Sequence, residues 1–582
     1  DKGDKYATAE IVIQNCLFED CGVGVWFGSF NDYNYTFEGC EFLRCGTGIQ
    51  CAKGNFYVRN THFEGSTRMD IDAGGEHGCS VRRVTSWGSK KFLHHWGVKP
   101  MVVEDCQVGG WKDSEGAEGA VTLRGAPVLM VDCVFTAPPD GRAPIKVNAL
   151  GQNLLLSNCR VEGDGPLFDR DLGDNEYARA EAQKFLTNVT VISTGAPRGH
   201  LTSPRTRFLK DTWPVPGRVF DAVADFGAKA DGHTDDSLAL QQTIDAAREA
   251  GEGAMAYLPM GRYVITNTLR MTGANYTVGG CGPFSRLLWR GEPGGTMLAV
   301  DNPQHLRLEN IMIGHHDAGP GTQGVDILHT ASGPSFMTYE AVFVFGMYQK
   351  KPFEKGLQFR NLPRGATVVL DRVNGNLRFT DCGDATVFAP VSYEGSLVVE
   401  GREGGRTGFM GFQTRLSTVV ERALVVRDNH SIVMSDFFVE QADGGWSIEG
   451  GPGLPPGRVV IQAPKVHLNE RIKEPVAPIQ IRDYAGEIVI GPVQFYLWPK
   501  PSSLSQRGQW PLTLALVAGN FYETTPDFQL EAGQKVRTLG MVGLPDTLAE
   551  AEYPVVQRAF DDLRRLGQLD LQLQHGGKGM NP

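Results

Sequence analysis

Two stretches of the chain place acidic residues at spacings that suit acid/base chemistry. In residues 68–72, a strand would point its apolar side chains inward and leave Asp70 and Asp72 on the outer face. Residues i and i+2 of a strand lie about 6.6 Å apart, which leaves room for a water between two carboxylates, as in inverting glycosidases. Glu76 and His77 follow closely. We predict that Asp70, Asp72 and Glu76 are catalytic and that His77 binds substrate; a solvated strand face is the alternative.

A second segment alternates in the same way and would place Asp436, Phe438 and Glu440 on one outer face. An outward aromatic ring beside a carboxylate suits a sugar, because the apolar face of a sugar ring stacks on aromatic rings. Asp436 and Glu440 would lie about 13 Å apart in one strand, which is too far for a catalytic pair. We predict that both acids are catalytic with partners from elsewhere in the chain, and that Phe438 binds substrate.

Two histidine pairs raise the question of a metal site, at residues 94–95 and 315–316. Adjacent residues of a strand point to opposite faces, so each pair presents one imidazole to a common face. One imidazole per strand is a poor metal site, and we predict that no metal is bound. An exposed His beside an aromatic ring still suits a sugar, and we predict that His315 and Trp96 bind substrate.

The elements that must position these residues follow from an internal repeat. Its members are Asn15-Cys16-Leu17-Phe18, Gly39-Cys40-Glu41-Phe42, Asn60-Thr61-His62-Phe63, Asp105-Cys106-Gln107-Val108, Asp132-Cys133-Val134-Phe135, Asn158-Cys159-Arg160-Val161 and Asn188-Val189-Thr190-Val191. The second position advances by 24, 21, 45, 27, 26 and 30 residues, and the step of 45 spans two repeats with Val84 between them. A period in the twenties with alternating apolar residues predicts one coil of a parallel β-helix per repeat.

Five cysteines occupy one slot of this repeat, namely Cys16, Cys40, Cys106, Cys133 and Cys159. A free Cys behaves as a small buried hydrophobe, so the slot predicts a column of thiols stacked coil above coil. Disulfides or a metal are the alternatives for the 11 cysteines, but no CxxC pair supports zinc. The Asn or Asp before most of these positions fits a turn, where such side chains tolerate a left-handed backbone.

A different pattern begins at residue 219 and runs to residue 264. It predicts a strand, a turn at Asp231-Gly232, a helix capped by Thr234 or Asp235, and then two further strands. Leu240, Ile244 and Ala247 give the helix one apolar stripe, and Gly251 and Gly253 end it. A helix ahead of many strands can cover the open end of a β-solenoid, which otherwise exposes apolar core and unpaired edges.

Within this segment, Asp225-Phe-Gly-Ala-Lys-Ala-Asp-Gly-His-Thr-Asp-Asp resembles the opening signature of the pectate-lyase-like superfamily, which includes rhamnogalacturonases, related epimerase-like proteins and tailspikes. The resemblance implies a right-handed parallel β-helix and, for most members, action on polysaccharides. It does not choose a reaction, because the superfamily holds hydrolases, lyases, transferases and non-enzymes. The set of motifs that characterises polygalacturonases does not occur in its required order in this chain.

The fold prediction is therefore all-β, with two parallel β-helix modules in tandem, a short capping helix and a C-terminal helix. We place the first module at residues 1–212, the second at 213–545, and the C-terminal helix and tail at 546–582. Two β-helix modules resemble glycoside hydrolase family 55 glucanases, whose cleft lies between the modules with an essential acid on the second. The resemblance would give Glu440 that role.

Composition excludes some partners. A formal net charge of −11 disfavours nucleic acid, which calls for a clustered basic surface, and no apolar run is long enough for a transmembrane helix. The chain opens directly in a strand pattern, so we expect that part of its start is missing. We also expect a bacterial protein that is secreted or periplasmic. It is expected to be a monomer or a homotrimer.

The function predicted from these observations is that of a glycoside hydrolase, which cleaves a polysaccharide by carboxylate acid/base catalysis in a surface groove or an inter-module cleft and needs no cofactor. One alternative is a polysaccharide lyase, for which Ca²⁺ and an unsaturated product are expected. Another is a non-catalytic glycan-binding or adhesin β-helix, which a groove without two nearby carboxylates would favour.

Overall fold

The computed structural model describes most of the chain. The residues described are 11–29, 32, 34–75, 77–97, 99–112, 119–124, 127–136, 141–147, 153–170, 189–197, 216–292, 295–315, 326–333, 335–345, 356–363, 366–371, 376–383, 385–388, 391–393, 396–401, 406–410, 413–415, 422–442, 445–468, 477, 479–496, 504–507, 513–522, 528–530, 535–541 and 544–574.

The strands before residue 194 wind into a parallel β-solenoid. They are β1 (Val12–Gln14), β2 (Leu17–Glu19), β3 (Val23–Phe27), β4 (Tyr35–Glu38), β5 (Glu41–Leu43), β6 (Thr47–Cys51), β7 (Phe56–Arg59), β8 (His62–Glu64), β9 (Met69–Ala73), β10 (Cys79–Arg82), β11 (Thr85–Trp87), β12 (Leu93–His95), β13 (Met101–Glu104), β14 (Gln107–Gly109), β15 (Val121–Leu123), β16 (Val128–Val131), β17 (Val134–Thr136), β18 (Ile145–Val147), β19 (Leu154–Ser157), β20 (Arg160–Glu162), β21 (Phe168–Arg170) and β22 (Val189–Ser193).

These strands form three sheets, each made of every third strand in parallel register. We call them the first sheet (β1-β4-β7-β10-β13-β16-β19-β22), the second sheet (β2-β5-β8-β11-β14-β17-β20) and the third sheet (β3-β6-β9-β12-β15-β18-β21). One coil therefore contributes one strand to each sheet, and the inward side chains of all three fill one core. The predicted solenoid fold is confirmed.

The predicted cysteine column is confirmed as well. At this position of each coil, the backbone carbonyl accepts a hydrogen bond from an N–H of the next coil. The residues that carry these carbonyls are, in order, Cys16, Cys40, Thr61, Val84, Cys106 and Cys133. All eleven cysteines are free. The residues just before the slot have left-handed φ angles: Asn15 (53°), Gly39 (64°), Asn60 (49°), Arg83 (52°), Asp105 (53°), Asp132 (53°) and Asn158 (54°).

The strands from residue 219 onward form a fourth sheet system that also winds in parallel. They are β23 (Val219–Asp221), β24 (Asp231–Asp235), β25 (Ala254–Leu258), β26 (Gly261–Ile265), β27 (Leu269–Gly280), β28 (Ser285–Trp289), β29 (Thr296–His315), β30 (Asp326–Thr330), β31 (Phe336–Phe345), β32 (Leu357–Arg360), β33 (Thr367–Asp371), β34 (Leu377–Thr380), β35 (Ala385–Phe388), β36 (Val391–Tyr393), β37 (Leu397–Glu400), β38 (Arg406–Met410), β39 (Gln413–Arg415), β40 (Leu424–Val426), β41 (Ser431–Ser435), β42 (Phe438–Ala442), β43 (Trp446–Glu449), β44 (Gly457–Leu468), β45 (Ile479–Arg482), β46 (Gly486–Tyr496), β47 (Leu504–Arg507), β48 (Thr513–Val517), β49 (Gly519–Tyr522), β50 (Phe528–Gln529) and β51 (Arg537–Leu539).

Helix α1 (Ser237–Ala250) covers the start of this second solenoid, as predicted. Its apolar stripe of Leu240, Ile244 and Ala247 is buried, and Gly251 ends it at a φ of 55°. The predicted cap is wrong by one or two residues, because the N-cap is Asp236 and not Thr234 or Asp235. The Asp235 carboxylate accepts the Ser237 N–H (3.1 Å), whereas the Asp236 carboxylate holds the preceding loop.

The outer face of the first sheet is covered by the second solenoid. All residues of β10, β13, β16 and β19 are buried, although alternate side chains point away from their own core. Outward residues such as Leu129 and Leu155 pack in one apolar cluster with Val460 and Val489 of the second solenoid. Burial of apolar surface therefore holds the two solenoids together. The placement of domain boundaries stays a prediction.

Helix α2 (Tyr553–Gln574) lies across both solenoids, and a short 3₁₀ turn (Glu550–Glu552) precedes it. Phe560 packs in the apolar cluster between them. Asp562 of this helix is buried and forms ion pairs with Arg406 (2.6 Å) and Arg458 (3.0 Å). No helix among the described residues combines the length and apolar character needed to cross a membrane.

Candidate functional site

The third sheet carries a row of outward side chains that includes one predicted acid. Strand register places Gln50, Asp72 and His94 side by side on successive coils. The flanking residues Ile71 and Ala73 point into the core and have no exposed area. Asp72 therefore projects from the outer wall of the solenoid.

The Asp72 carboxylate is held by two N–H donors. Its Oδ1 accepts hydrogen bonds from His94 Nδ1 (3.1 Å) and Trp96 Nε1 (2.8 Å). Among the described residues, no hydrogen bond engages its Oδ2. The Asp72 and His94 side chains are 19% and 20% exposed. The carboxylate is thus fixed in orientation through Oδ1 and is partly exposed.

Trp96 provides an aromatic surface beside this carboxylate. It is 42% exposed, and its ring lies against the backbone of the preceding coil, where a Cβ on Gly74 would come within 2.0 Å of the indole. Only glycine leaves space for the ring in this position. A flat exposed indole next to a carboxylate is an arrangement that binds sugars, since the ring packs on the sugar and the carboxylate accepts its hydroxyl groups.

The histidine pair divides as predicted. His94 lies on the outer face, whereas His95 points inward, and its burial lowers its pKa to about 4. His94 Nε2 is itself buried, and none of the residues that the structure describes forms a hydrogen bond with it. His94 therefore acts in this structure as a donor that orients Asp72. Among the described residues, no three His, Cys, Asp or Glu side chains come together as they would around a metal ion.

Asp70 does not lie beside Asp72 on the outer face, contrary to our expectation. It has no exposed area, and its Oδ2 accepts a hydrogen bond from Ser86 (2.5 Å). Asp70 is the second residue of β9, and it is buried together with Ile71 instead of alternating with it; the equivalent residue of the next coil, Phe92, is also fully buried. The carboxylate pair at residues 70 and 72 is therefore not formed on this surface.

Burial raises the pKa of the Asp70 carboxyl to about 6, because the charged form loses its hydration. The native state then binds more protons than the unfolded state between pH ~4 and ~6, so stability falls as pH rises through this window. We expect Asp70→Asn to be more stable than the parent protein at pH 8, by on the order of 2–3 kcal/mol. Denaturant unfolding of both proteins at pH 8 and at pH 3.5 measures this difference in stability. At about pH 3.5 we expect the variant to be no more stable than the parent protein, because the Asp70 carboxyl is protonated in both states. An equal gain in stability at both pH values would contradict the prediction.

Asp436 and Phe438 lie on an outer face, but the first solenoid covers that face. Asp436 has a left-handed φ of 56° and separates β41 from β42, so residues 434–441 do not form one strand. Its Oδ1 pairs with Arg82 Nη2 at 3.0 Å, and both side chains are buried. Burial would raise the pKa of Asp436, but Arg82 and Arg59 together hold it below its ordinary value. Asp436 is therefore the anion of a structural ion pair in this arrangement.

Phe438 and His77 meet in the same contact between the solenoids. Their rings lie 6.2 Å apart, and Lys465 Nζ lies 5.2 Å from the Phe438 ring centre and 3.5 Å from His77 Nε2. Both Phe438 and His77 are buried. The structure thus brings these two predicted substrate-binding residues together, although under cover and away from Asp72.

Three other predicted site residues cannot be placed as side chains. Glu76 lies outside the described residues, and so do the side chains of Glu440 and His315. The backbone of Glu440 pairs with Arg415 on the neighbouring coil. The roles predicted for all three stay predictions.

Comparisons with known proteins agree with the resemblance read from the sequence. Residues 220–279 match the family model described as rhamnogalacturonase A/epimerase, pectate lyase-like. The resemblance to the pectate-lyase-like superfamily is confirmed. The fold is that of a superfamily of carbohydrate-active proteins.

Curated relatives match over short stretches. Mannuronan C5-epimerase AlgE3 of Azotobacter vinelandii is 33% identical over 129 residues, which are 22% of this chain and 5% of the relative. Alginate lyase 7 of the same organism is 57% identical over 44 residues, which are 8% of this chain and 5% of the relative. The chain thus spans about one-twentieth of the length of these relatives.

Several solved structures align with just over half of the chain. The Geobacillus virus E2 ORF18 protein has a TM-score of 0.36 at 12% identity, covering 56% of this chain and 62% of its own. The catalytic unit of a GH87 α-1,3-glucanase from Streptomyces thermodiastaticus has a TM-score of 0.34 at 13% identity, covering 58% of this chain and 71% of its own. Likenesses this low say nothing about chemistry.

Proposed function

We propose that the chain is a polysaccharide-cleaving enzyme, most simply a glycoside hydrolase, that binds its substrate on the outer face of the third sheet with Asp72 at the reacting sugar. The observation that carries the proposal is the Asp72 carboxylate, which is held through one oxygen by His94 and Trp96 and is partly exposed through the rest. Such a carboxylate can activate a water or stabilise a developing positive charge on the sugar.

Hydrolysis also needs a group that protonates the leaving oxygen. Asp70 is enclosed in the core and cannot reach a sugar without rearrangement. Glu76 follows Asp72 by four residues in the sequence and is the candidate acid. Glu440 remains the candidate if the glycan instead binds between the solenoids, as the resemblance to family 55 glucanases would favour.

The test compares Asp72→Asn with Glu64→Gln. Glu64 is a matched control, because it is also a partly exposed carboxylate that contacts a histidine (His62 Nε2, 3.3 Å), but it lies on the second sheet. Both proteins are assayed for new reducing ends on polymannuronate, polygalacturonate and β-glucan. We expect Asp72→Asn to lose activity by about 10²–10⁴-fold and Glu64→Gln to keep it. Equal activities of the two variants would refute the role of Asp72.

β-Elimination is the second candidate reaction, and one observation favours it. The curated relatives are named as a mannuronan epimerase and an alginate lyase. An unsaturated product that absorbs in the ultraviolet, formed together with the reducing ends, would establish elimination. A uronic-acid polymer would then be the substrate. Binding without either product would favour a glycan-binding β-helix.

The remaining attributes also stay proposals. We expect a secreted or periplasmic bacterial protein that acts without a cofactor, unless elimination requires Ca²⁺. A monomer or a homotrimer is expected. Size-exclusion chromatography with light scattering, with and without Ca²⁺, measures the oligomeric state and whether Ca²⁺ changes it.

A further inference from the structure

A second tryptophan lies on the same outer row as Asp72. Trp26 of β3 pairs in register with Gln50 of β6, and Gln50 pairs with Asp72 of β9. Two steps between parallel strands separate Trp26 from Asp72, which is about 10 Å. The two side chains therefore share one face and lie along one line parallel to the solenoid axis.

The orientation of Trp26 follows from strand geometry. Its neighbour Phe27 points inward and is buried, so Trp26 must point outward, and it is 66% exposed. The ring leans over Gly28, where a Cβ would lie 2.8 Å from the indole. Trp96 is seated in the same way on Gly74. Both indoles thus lie close to the backbone and offer a flat surface to solvent.

We propose that Trp26 is a sugar-binding platform for a glycan that runs along the solenoid axis, with one sugar at Trp96 and Asp72 and a more distant sugar at Trp26. Gln50 lies between them and can hydrogen-bond to the hydroxyl groups of the intervening sugar. This inference rests on the proposed function and adds to it the direction of the chain and the residue that makes long substrates bind better than short ones.

The geometry also supplies a matched control. Trp87 is 56% exposed and is likewise seated on a glycine, since a Cβ on Gly109 would lie 2.2 Å from its ring. However, Trp87 belongs to the second sheet, beside Glu64, and is not on the row that contains Asp72. A general effect of losing a surface tryptophan would therefore appear in both variants, whereas a subsite effect would appear only in the Trp26 variant.

The experiment measures kcat and KM of Trp26→Ala and Trp87→Ala with disaccharides and long oligosaccharides of mannuronate and of β-glucan. Loss of one stacked ring is expected to raise KM for long substrates by about five-fold in Trp26→Ala. Its kcat and its kinetics on disaccharides should match the parent protein, and Trp87→Ala should be unchanged throughout.

Three results would overturn the inference, and they differ in meaning. If the parent protein acts on long oligosaccharides and Trp26→Ala has the same KM as Trp87→Ala, the path along the solenoid axis is wrong while the proposed function stands. If the parent protein neither binds nor cleaves any of these glycans, the proposed function fails together with the inference. A higher KM in both variants would show a surface effect and would also contradict it.

Discussion

Replacing Arg82 with Met is expected to lower the free energy of unfolding by about 3–5 kcal/mol, because it leaves the buried carboxylates of Glu104 and Asp436 without their closest cation. Arg82 Nη2 contacts Asp436 Oδ1 (3.0 Å) and Gln462 Oε1 (2.5 Å) on the second solenoid, and its Nη1 contacts Glu104 on the first. All four side chains are buried. The same substitution should therefore loosen the contact between the solenoids.

Arg160→Met is the matched control for this prediction. Arg160 also pairs with a carboxylate, Glu162 at 2.7 Å, but both side chains are about half exposed. An exposed pair of this kind is worth about 0–1 kcal/mol. Denaturant unfolding measures both variants. A loss in Arg82→Met no larger than that in Arg160→Met would show that the buried cluster does not hold the solenoids together.

Replacing Phe560 with Ala is expected to cost about 3–5 kcal/mol, since a large buried aromatic ring is removed and a cavity is left behind. Phe560 is 3% exposed and packs where helix α2 meets both solenoids. The helix also contacts each solenoid through polar groups, Gln557 with Asn158 (3.2 Å) and Arg558 with Glu487 (2.6 Å). Weakening the helix should thus weaken both of its attachments.

The measurement for this variant is denaturant unfolding together with small-angle scattering, which reports separation of the solenoids. Arg565→Ala is the control, because its side chain lies on the same helix and is 63% exposed. We expect the control to unfold like the parent protein. If Phe560→Ala also unfolds at the same denaturant concentration as the parent protein, helix α2 does not contribute to the stability of the two solenoids.

The sequence was most informative where one coil repeats the next. In a parallel solenoid, equal positions of successive coils stack directly, so a residue type that recurs at a fixed period must form a column. Cys106 and Cys133 could be placed in one column for this reason, and so could Asn158 and Asp132 at the turn before it. The capping helix was predictable too, because its apolar stripe is local.

The candidate site was harder to predict, for two physical reasons. Asp70 lies near the start of β9, where it and the next residue, Ile71, are both buried, so the alternation of inward and outward side chains that we assumed does not hold there. Asp436 and Phe438 were correctly expected on an outer face, but that face is covered by residues more than three hundred positions away in the chain, including Arg82. A pattern within one strand carries no information about such a long-range contact.

Asp72 and Trp96 were both singled out from the sequence, yet the link between them was not. They are 24 residues apart, close to one coil of the solenoid, so the repeat period itself was the signal that they would be neighbours. The same signal would have placed His94 beside Asp72. A comparison of candidate residues one repeat period apart, in addition to residues within one strand, would have identified the cluster of Asp72, His94 and Trp96.

The most direct test of the account is a crystal structure of Asp72→Asn soaked with a long oligosaccharide that the parent protein cleaves. We predict sugar density on the outer face of the third sheet, with one ring against Trp96, its hydroxyl groups within hydrogen-bonding distance of position 72, and further rings extending toward Trp26. Density between the two solenoids, near Glu440, with this face empty would contradict it.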